Sequence, residues 1–398
     1  MKYWLSLLAA LTLTSFAQSP APAPAAFTAP VPPEIEARAY LLLDVTANQV
    51  LAAKGADQLV EPASLTKLMT AYLAFDALKT KKLSLDQRLP VSVRAWKMEG
   101  SSMFIDPKMH VRVEDLLKGL IVQSGNDAAV AIAEGVGGSV ERFVDLMNER
   151  SKLLGMTHTQ YKNPEGLTVA GHATTAHDLA ILATRLMNDF PEYIGYYAIQ
   201  KFRLEGSPKS NDMNRNKLLF RDSAKTGFVV DGLKTGHTDA AGYCFVVTSK
   251  RADARVGERR LLAILLGTQS EIARANEGEK LLVWGYNAFE SMKLFDAKAV
   301  IATPHVWKGT SGEVKLGLAN GRPLIVSVPA GTTSAQMTSQ IARPDPLVAP
   351  FTAGQNVATL KVLINNQAWQ SIPLQATQDV ALAGWFGRTL DSVRMMFK

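Results

Sequence analysis

A mixed α/β fold of the α+β kind, followed by a separate β-rich segment, is predicted by three observations. Apolar runs at residues 39–45, 246–248 and 262–266 read as strands, interspersed with longer stretches of helical periodicity, among them a terminal one near 281–291. The chain has 398 residues, which exceeds one ordinary domain of roughly 100 to 200 residues. After about Lys293 the texture changes to short apolar segments separated by turn dipeptides. A first domain over 34–292, a small all-β domain over 293–380 and a terminal helix over 381–398 are therefore expected.

The first element is not part of the fold. Met1-Lys2, the apolar run 3–12 and Ser15-Phe16-Ala17 have the charged start, short hydrophobic stretch and small-residue cleavage pattern of a secretory signal over 1–17, with cleavage expected after Ala17. The run is short for a membrane span, and no cysteine follows it to accept a lipid. Residues 18–33, rich in Pro and Ala, read as a flexible or extended leader. An exported protein is expected, periplasmic or held peripherally on the outer face of the cytoplasmic membrane.

The next element carries chemistry. Ser64-Leu65-Thr66-Lys67 opens a helix expected over 65–78, whose Leu68, Met69, Tyr72, Leu73 and Phe75 suit a buried element. Residues i and i+3 share a helix face, so the Ser64 hydroxyl and the Lys67 amine are placed to meet. A serine needs a base to become a nucleophile, and a lysine serves only when desolvation or nearby cations lower its pKa. Pro62 suits the start of a helix, whose N-terminus favours developing negative charge.

Ser124-Gly125-Asn126 lies between two apolar runs that read as helices, Val113 to Ile121 and Ala128 to Val136. A turn there pushes a hydroxyl and a carboxamide out of a helical layer. Ser124 is expected to relay a proton or bond to Lys67, and Asn126 to hold a substrate amide, with Asn126 also serving as an N-cap.

Lys-Thr-Gly occurs twice, at Lys225 and at Lys234. Behind the second copy come His237, Thr238 and the apolar runs Tyr243 to Thr248 and Leu261 to Leu266, two adjacent strands by pattern. At the head of a central strand, Gly236 would let the backbone approach a substrate, while Lys234 supplies charge and Thr235 a hydroxyl. The Lys225 copy has only Phe228-Val229-Val230 behind it and reads as a connecting loop.

Three weak strings in this order make a strong one. With Asn214-Arg215-Asn216, Asp231-Gly232-Leu233 before Lys234, and Ala241-Gly242-Tyr243, the chain resembles the low-molecular-mass penicillin-binding proteins that act as D-alanyl-D-alanine carboxypeptidases. The resemblance covers nearly the whole chain. It implies a β-lactamase/transpeptidase-like catalytic domain, a five-stranded antiparallel sheet flanked by helices, with the site between the sheet and an all-helical cluster. It implies Ser64 as the acylated nucleophile and Lys67 as its base, with Ser124, Asn126 and Lys234 completing the polar network. It points to the Ser64 and His237 amides as an oxyanion hole, and to Arg215 and Arg274 as holders of a terminal carboxylate. The implied partners are peptidoglycan stem peptides ending in D-Ala-D-Ala, and β-lactams as inhibitors. A surface charge remains an alternative for Arg274. Glu165, in the turn Asn163-Pro164-Glu165-Gly166-Leu167, occupies a loop where related β-lactamases carry a deacylating glutamate, but it is read here as an exposed turn residue.

Other classes are disfavoured. The net charge of +7 has no clustered basic run and no Gly-rich phosphate loop accompanies it, so nucleic acid is not an expected partner. The six histidines show no paired-ligand spacing, and neither a metal site nor another cofactor is expected. The single cysteine, Cys244, cannot form an internal disulfide and reads as a small buried hydrophobe.

In the β-rich segment, Val314 to Leu318 and Leu324 to Val328 flank Asn320-Gly321, a strong hairpin signal. Val357 to Ile364 and Ala368 to Leu374 flank Asn365-Asn366, a weaker one. At the end, Leu382, Trp385, Phe386, Leu390, Val393, Met396 and Phe397 recur at helical spacing opposite Arg388, Asp391, Ser392 and Lys398. Such a helix suits a membrane interface, and docking on its own β domain is the alternative. A β-lactamase or D,D-endopeptidase would use the same catalytic residues, and a non-catalytic cell-wall sensor or scaffold is the rival of another class.

Overall fold

The computed structural model describes residues 29–397. The expected signal, its cleavage after Ala17 and most of the Pro/Ala-rich leader lie outside the described residues.

The first domain is built on a five-stranded antiparallel sheet. Its strands are β1 (Ala39–Asp44), β2 (Gln49–Lys54), β5 (Val229–Thr238), β6 (Gly242–Asp253) and β7 (Gly257–Thr268), in the order β2-β1-β7-β6-β5. The strands β3 (Arg88–Pro90) and β4 (His110–Arg112) form a separate ribbon. Side chains alternate across a strand, so each central strand feeds two cores. Leu41, Cys244, Val246, Leu262 and Ile264 pack into the larger, helical core, whereas Leu42, Phe245, Val247, Leu261 and Leu265 pack into a smaller one. Burial of both faces explains why these strands read as continuous apolar runs.

The helical layer contains α1 (Lys67–Lys79), the single turn α2 (Val93–Trp96), α3 (Val113–Lys118), α4 (Asn126–Gly137), α5 (Val140–Leu154) and α6 (Ala176–Asp189). Every residue of α1 from Lys67 to Ala77 except Asp76 is buried, so this helix runs through the domain rather than over it. Another single turn, α7 (Ser223–Thr226), holds the Lys225 copy of Lys-Thr-Gly outside the site. The outer face of the sheet is covered by α8 (Glu271–Ala288), which carries Ala275, Leu281, Leu282 and Tyr286 into the smaller core. This helix starts ten residues before the expected 281, because Ser270 caps it by accepting from the Ala273 amide at 3.0 Å. Ser291 is not in the helix but on the next strand.

That strand, β8 (Phe289–Phe295), belongs to the second domain with β9 (Leu316–Leu318), β10 (Leu324–Pro329), β11 (Met337–Ala342), β12 (Asn356–Ile364) and β13 (Gln367–Ala376). The boundary placed near Lys293 thus falls inside a strand. The hairpin expected around Asn320-Gly321 is absent: β10 pairs with β8, while β9 pairs with β13 in the order β11-β12-β13-β9. The turn forms as a 3-10 turn, Ala319–Gly321, but Pro323 follows, and the two strands diverge into different sheets. The weaker signal does make a hairpin. Asn365 and Asn366 have φ of 50° and 64°, the two left-handed positions of a type I′ turn, and Ile364 faces Gln367.

The two domains meet at a buried charge. Arg259 and Asp44 are both fully buried, with Nε 2.7 Å from Oδ2; Arg259 also donates to the Phe289 carbonyl at 2.6 Å. Ser327 of β10 donates its hydroxyl to the same Asp44 oxygen at 2.6 Å, and exchanges two bonds with Gln49 at 3.1 and 3.0 Å. Removing one member of a buried pair strands the other charge, at a cost of about 3 to 5 kcal/mol. Arg259→Met is expected to lower the unfolding free energy of the full chain by that amount in a denaturant titration, with much of it regained in Arg259→Met/Asp44→Leu. A single variant that unfolds at the wild-type midpoint would contradict this.

Candidate active site

Ser64 lies in a 3-10 turn, Ala63–Thr66, that runs directly into α1, whose first residue is Lys67. Ala63 has φ of 48°, a left-handed conformation that costs a non-glycine residue about 1 to 2 kcal/mol. The structure brings Lys67 Nζ to 3.0 Å from Ser64 Oγ, 2.7 Å from Asn126 Oδ1 and 2.6 Å from the Glu165 carbonyl. Lys67 is 1% exposed, and burial, the dominant cause, lowers its pKa to about 7.

The carbonyl that Lys67 meets belongs to a loop sewn onto α1. Pro164 accepts from Thr70 Oγ1 at 2.6 Å, and Asn163 shapes the turn by accepting from the Gly166 amide at 2.6 Å and donating to the Leu167 carbonyl at 2.9 Å. Gly166, with φ of +94°, is obligatory: a Cβ there would lie 1.9 Å from the Ala63 carbonyl oxygen. Glu165 is accordingly 6% exposed, not the exposed turn residue expected, since the turn closes over α1 instead of projecting outward. Burial raises the Glu165 carboxyl above the ordinary range. Beneath the loop, Thr66 Oγ1 bonds His172 Nε2 at 2.9 Å, and burial lowers that imidazole to about 4.

Ser124 terminates a π-helical turn, Gly119–Gln123, that continues α3, and it too is left-handed, with φ of 58°. That conformation turns its hydroxyl across the cavity to accept from Lys234 Nζ at 2.9 Å. The bond expected from Ser124 to Lys67 is therefore made by Asn126 instead. The carboxamide of Asn126 is engaged at both ends, accepting from Lys67 and donating to the Glu99 carbonyl at 2.6 Å, so it positions the amine rather than standing open to an amide. Asn126 is the first residue of α4, and the capping position falls to Gly125.

Lys234, Thr235, Gly236 and His237 lie in the second half of β5, which is the edge of the sheet and not a central strand. An edge leaves one side of the backbone without a partner strand. The missing side chain at Gly236 admits Ser64's own backbone, because a Cβ there would be 3.2 Å from the Ser64 and Leu65 nitrogens. Lys234 is 3% exposed and its second contact is the Thr235 carbonyl at 2.8 Å. Burial, then the neighbouring Lys67, Arg215 and Arg274, depress its pKa.

These groups surround a cavity of about 340 Å³ lined by Ser64, Ser101, Ser124, Arg215, Thr235, Gly236, His237, Tyr243, Glu271 and Arg274. Arg274 is 4% exposed, so it is no surface charge, and burial lowers it to about 10. Arg215 reaches the rim, held by Asn211 Oδ1 at 2.8 Å, and Asn211 in turn donates to the Ser102 and Gln123 carbonyls. The His237 ring lies tilted against Tyr243 with centroids 4.0 Å apart, and the Arg274 guanidinium lies 5.7 Å from the Tyr243 ring.

Ser101, Tyr243 and Glu271 were not picked out as site residues from sequence. Tyr243 follows the Lys-Thr-Gly strand in an apolar run, and its hairpin register opposite His237 was the available signal. Ser101 lies in an irregular loop and Glu271 opens a helix whose start was misplaced. Neither position carried a local pattern.

Comparison with known proteins agrees with this geometry. The profile of the family described as Peptidase_S11, D-alanyl-D-alanine carboxypeptidase, matches residues 26–269, and that of the penicillin-binding protein 5 C-terminal domain matches 289–382. The chain is 39% identical over 371 residues to the D-alanyl-D-alanine carboxypeptidase DacC of Escherichia coli K12, covering 92% of this chain and 89% of that protein. It superposes on penicillin-binding protein 5 from Haemophilus influenzae with a TM-score of 0.78 and 33% identity, over 88% of this chain and 99% of the other. Penicillin-binding protein D2 of Listeria monocytogenes, solved with ampicillin bound, matches 65% of this chain and 100% of its own, with 30% identity and a TM-score of 0.56. The serine, the buried amine beside it and the two-domain match together place this chain in the D-alanyl-D-alanine carboxypeptidase family of penicillin-binding proteins.

Proposed function

We propose that this chain is a serine D,D-carboxypeptidase that removes the terminal D-alanine of peptidoglycan stem peptides through an acyl-enzyme on Ser64. The observation that carries the reading is the set of partners around Lys67. A neutral amine has two N–H donors and one lone pair. Asn126 Oδ1 and the Glu165 carbonyl take the donors, which leaves the lone pair for the third neighbour, the Ser64 O–H. Lys67 then accepts the Ser64 proton as Oγ attacks the carbonyl of the D-Ala-D-Ala bond. Ser124 and Lys234, on the other wall, are placed to return a proton to the departing amine. Arg215, Arg274 and the Thr235 hydroxyl hold the terminal carboxylate, and the Ser64 and His237 amides receive the developing oxyanion. Water then resolves the acyl-enzyme.

β-Lactams, which present a strained amide to the same cavity, acylate the same serine. Purified protein is expected to release D-alanine from a pentapeptide stem, to lose that activity on treatment with penicillin, and to hydrolyse a chromogenic β-lactam slowly. Ser64→Ala is expected to take up no labelled penicillin. Labelling of that variant, or rapid β-lactam turnover without D-alanine release, would overturn the assignment; the second result would give the buried Glu165 the role of a deacylating base.

The protonation of Lys67 sets the pH profile. Its pKa is lowered, so the neutral, proton-accepting form grows as pH rises through about 7. The acylation rate is expected to fall about tenfold per unit well below that value and to level off above about pH 8. Lys67→Arg, whose guanidinium stays protonated, is expected to lose about 10² to 10⁴ in acylation rate. A profile flat from pH 5 to 8 would remove Lys67 from the role of base.

The terminal segment supports a peripheral membrane location on the outer face, with the β domain as a spacer. The helix α9 (Trp385–Met395) is tied to that domain by its polar side: Asp391 accepts from the Lys308 amide at 2.7 Å. Apolar residues of this segment face outward, Trp385 at 67% and Phe386 at 83% exposure on the helix and Phe397 at 88% just beyond it. A helix with such a face lies in a lipid interface and does not span it. Among the described residues no helix is long and apolar enough to cross a membrane. Deletion of 384–398 is expected to move active protein from the membrane pellet to the soluble fraction, and unchanged sedimentation would refute the attachment.

A further inference from the structure

The cavity beside Ser64 holds one carboxylate that the mechanism above does not use. Glu271, the first residue of α8, places Oε1 3.2 Å from Arg274 Nη2 and Oε2 3.7 Å from Lys217 Nζ. Among the described residues it is the charged partner of Arg274, whose hydrogen bonds to the Gly236 and Arg215 carbonyls are both long at 3.4 Å. A buried guanidinium without a counter-charge is costly, so Glu271 stabilises the empty site. The same contact obstructs the filled one. A carboxylate arriving at Arg274 meets a carboxylate already there, and like charges on one fork repel.

We propose that Glu271 is a specificity-determining residue, an internal counter-ion that occupies Arg274 until the substrate's terminal carboxylate displaces it. The inference rests on the assignment of Arg274 to carboxylate binding. Lys217, 53% exposed and already near the second Glu271 oxygen, gives the displaced side chain a partner outside the cavity. Glu271 thereby holds the guanidinium in register with Gly236 while lowering the affinity for free carboxylates. It touches no reacting atom, so its effect appears in binding and not in the acyl-transfer step.

The test compares two pentapeptides in the full chain, one ending in free D-Ala-D-Ala and one with the terminal carboxylate amidated. Glu271→Gln keeps the shape and removes the charge. It is expected to lower KM for the free acid roughly threefold to tenfold, the effect of one partly exposed charge pair, with kcat unchanged and KM for the amide unmoved. In an Arg274→Gln background the same substitution should have a much smaller effect, the remainder of its longer-range action on Arg215. An equal KM change for both peptides, or a KM for the acid that is unchanged or raised, would overturn the counter-ion role. The carboxylate-binding assignment fails separately, if Arg274→Gln alone leaves the acid-to-amide KM ratio at its wild-type value. The stoichiometry of penicillin labelling verifies that each variant is folded.

Discussion

An amine held at 1% exposure beside a serine is the constraint on which the other features depend. Water is excluded from Lys67 by the buried helix α1, by the loop 163–167 above it and by the edge strand β5. Each wall requires a special backbone. Gly166 clears the Ala63 carbonyl, Gly236 clears the Ser64 amide, and Ala63 and Ser124 adopt left-handed conformations that neither residue prefers. Strain gathered at these positions is offset by the helical core, whose Leu65, Leu68 and Met69 are fully buried beside Ser64.

Both lysines of the site are satisfied without a carboxylate in direct contact. Lys67 donates to the Glu165 carbonyl and Lys234 to the Thr235 carbonyl, whereas Arg274 adds the Glu271 carboxylate to its long contacts with the Gly236 and Arg215 carbonyls. Backbone oxygens satisfy the N–H groups without contributing a full negative charge. A carboxylate in direct contact with Lys67 would hold the amine protonated; a carbonyl and a carboxamide leave burial to dominate and keep it near neutrality. Lys234 follows the same logic, with Lys67, Arg215 and Arg274 adding repulsion to burial. An anionic substrate or an oxyanion entering this cavity reverses that balance, so the electrostatic field is aimed at charge the reaction brings or creates.

What the sequence disclosed and what it hid divide by range of interaction. Ser64 and Lys67 are three residues apart on one segment, so their meeting was readable from periodicity alone. The alternation of Leu41 and Leu42, or of Val246 and Val247, between two cores follows from strand geometry. The edge position of β5 was hidden, because strand order depends on which distant segments pair. The hairpin rule failed at Asn320-Gly321 for the same reason: the turn formed, yet β9 and β10 found better partners in β13 and β8. It held at Asn365-Asn366, where both residues accept positive φ and the flanking strands had no competing partner between them. The burial of Glu165 is not legible locally, because a turn's exposure is set by what it packs on, here α1, whose Lys67 lies 98 residues from Glu165 and outside any local window.

The buried junction of the domains bears on where the reaction takes place. Asp44 belongs to a central strand of the catalytic sheet, and its oxygen is shared by Arg259 and by Ser327 of the second domain. Within the second domain, Trp369 of β13 donates its indole N–H to the Ser327 carbonyl at 2.7 Å and lies tilted beside Phe289, which follows the end of α8. The Asp44 contacts are buried and directional, unlike the slack, solvated junction of two independently mobile domains. A helix tied to the second domain through Asp391, with its apolar side outward, is thus linked through β10 and Asp44 to the sheet whose edge carries Lys234. Attachment of that helix to a lipid surface would accordingly fix not only the distance of Ser64 from the membrane but the direction in which its cavity opens.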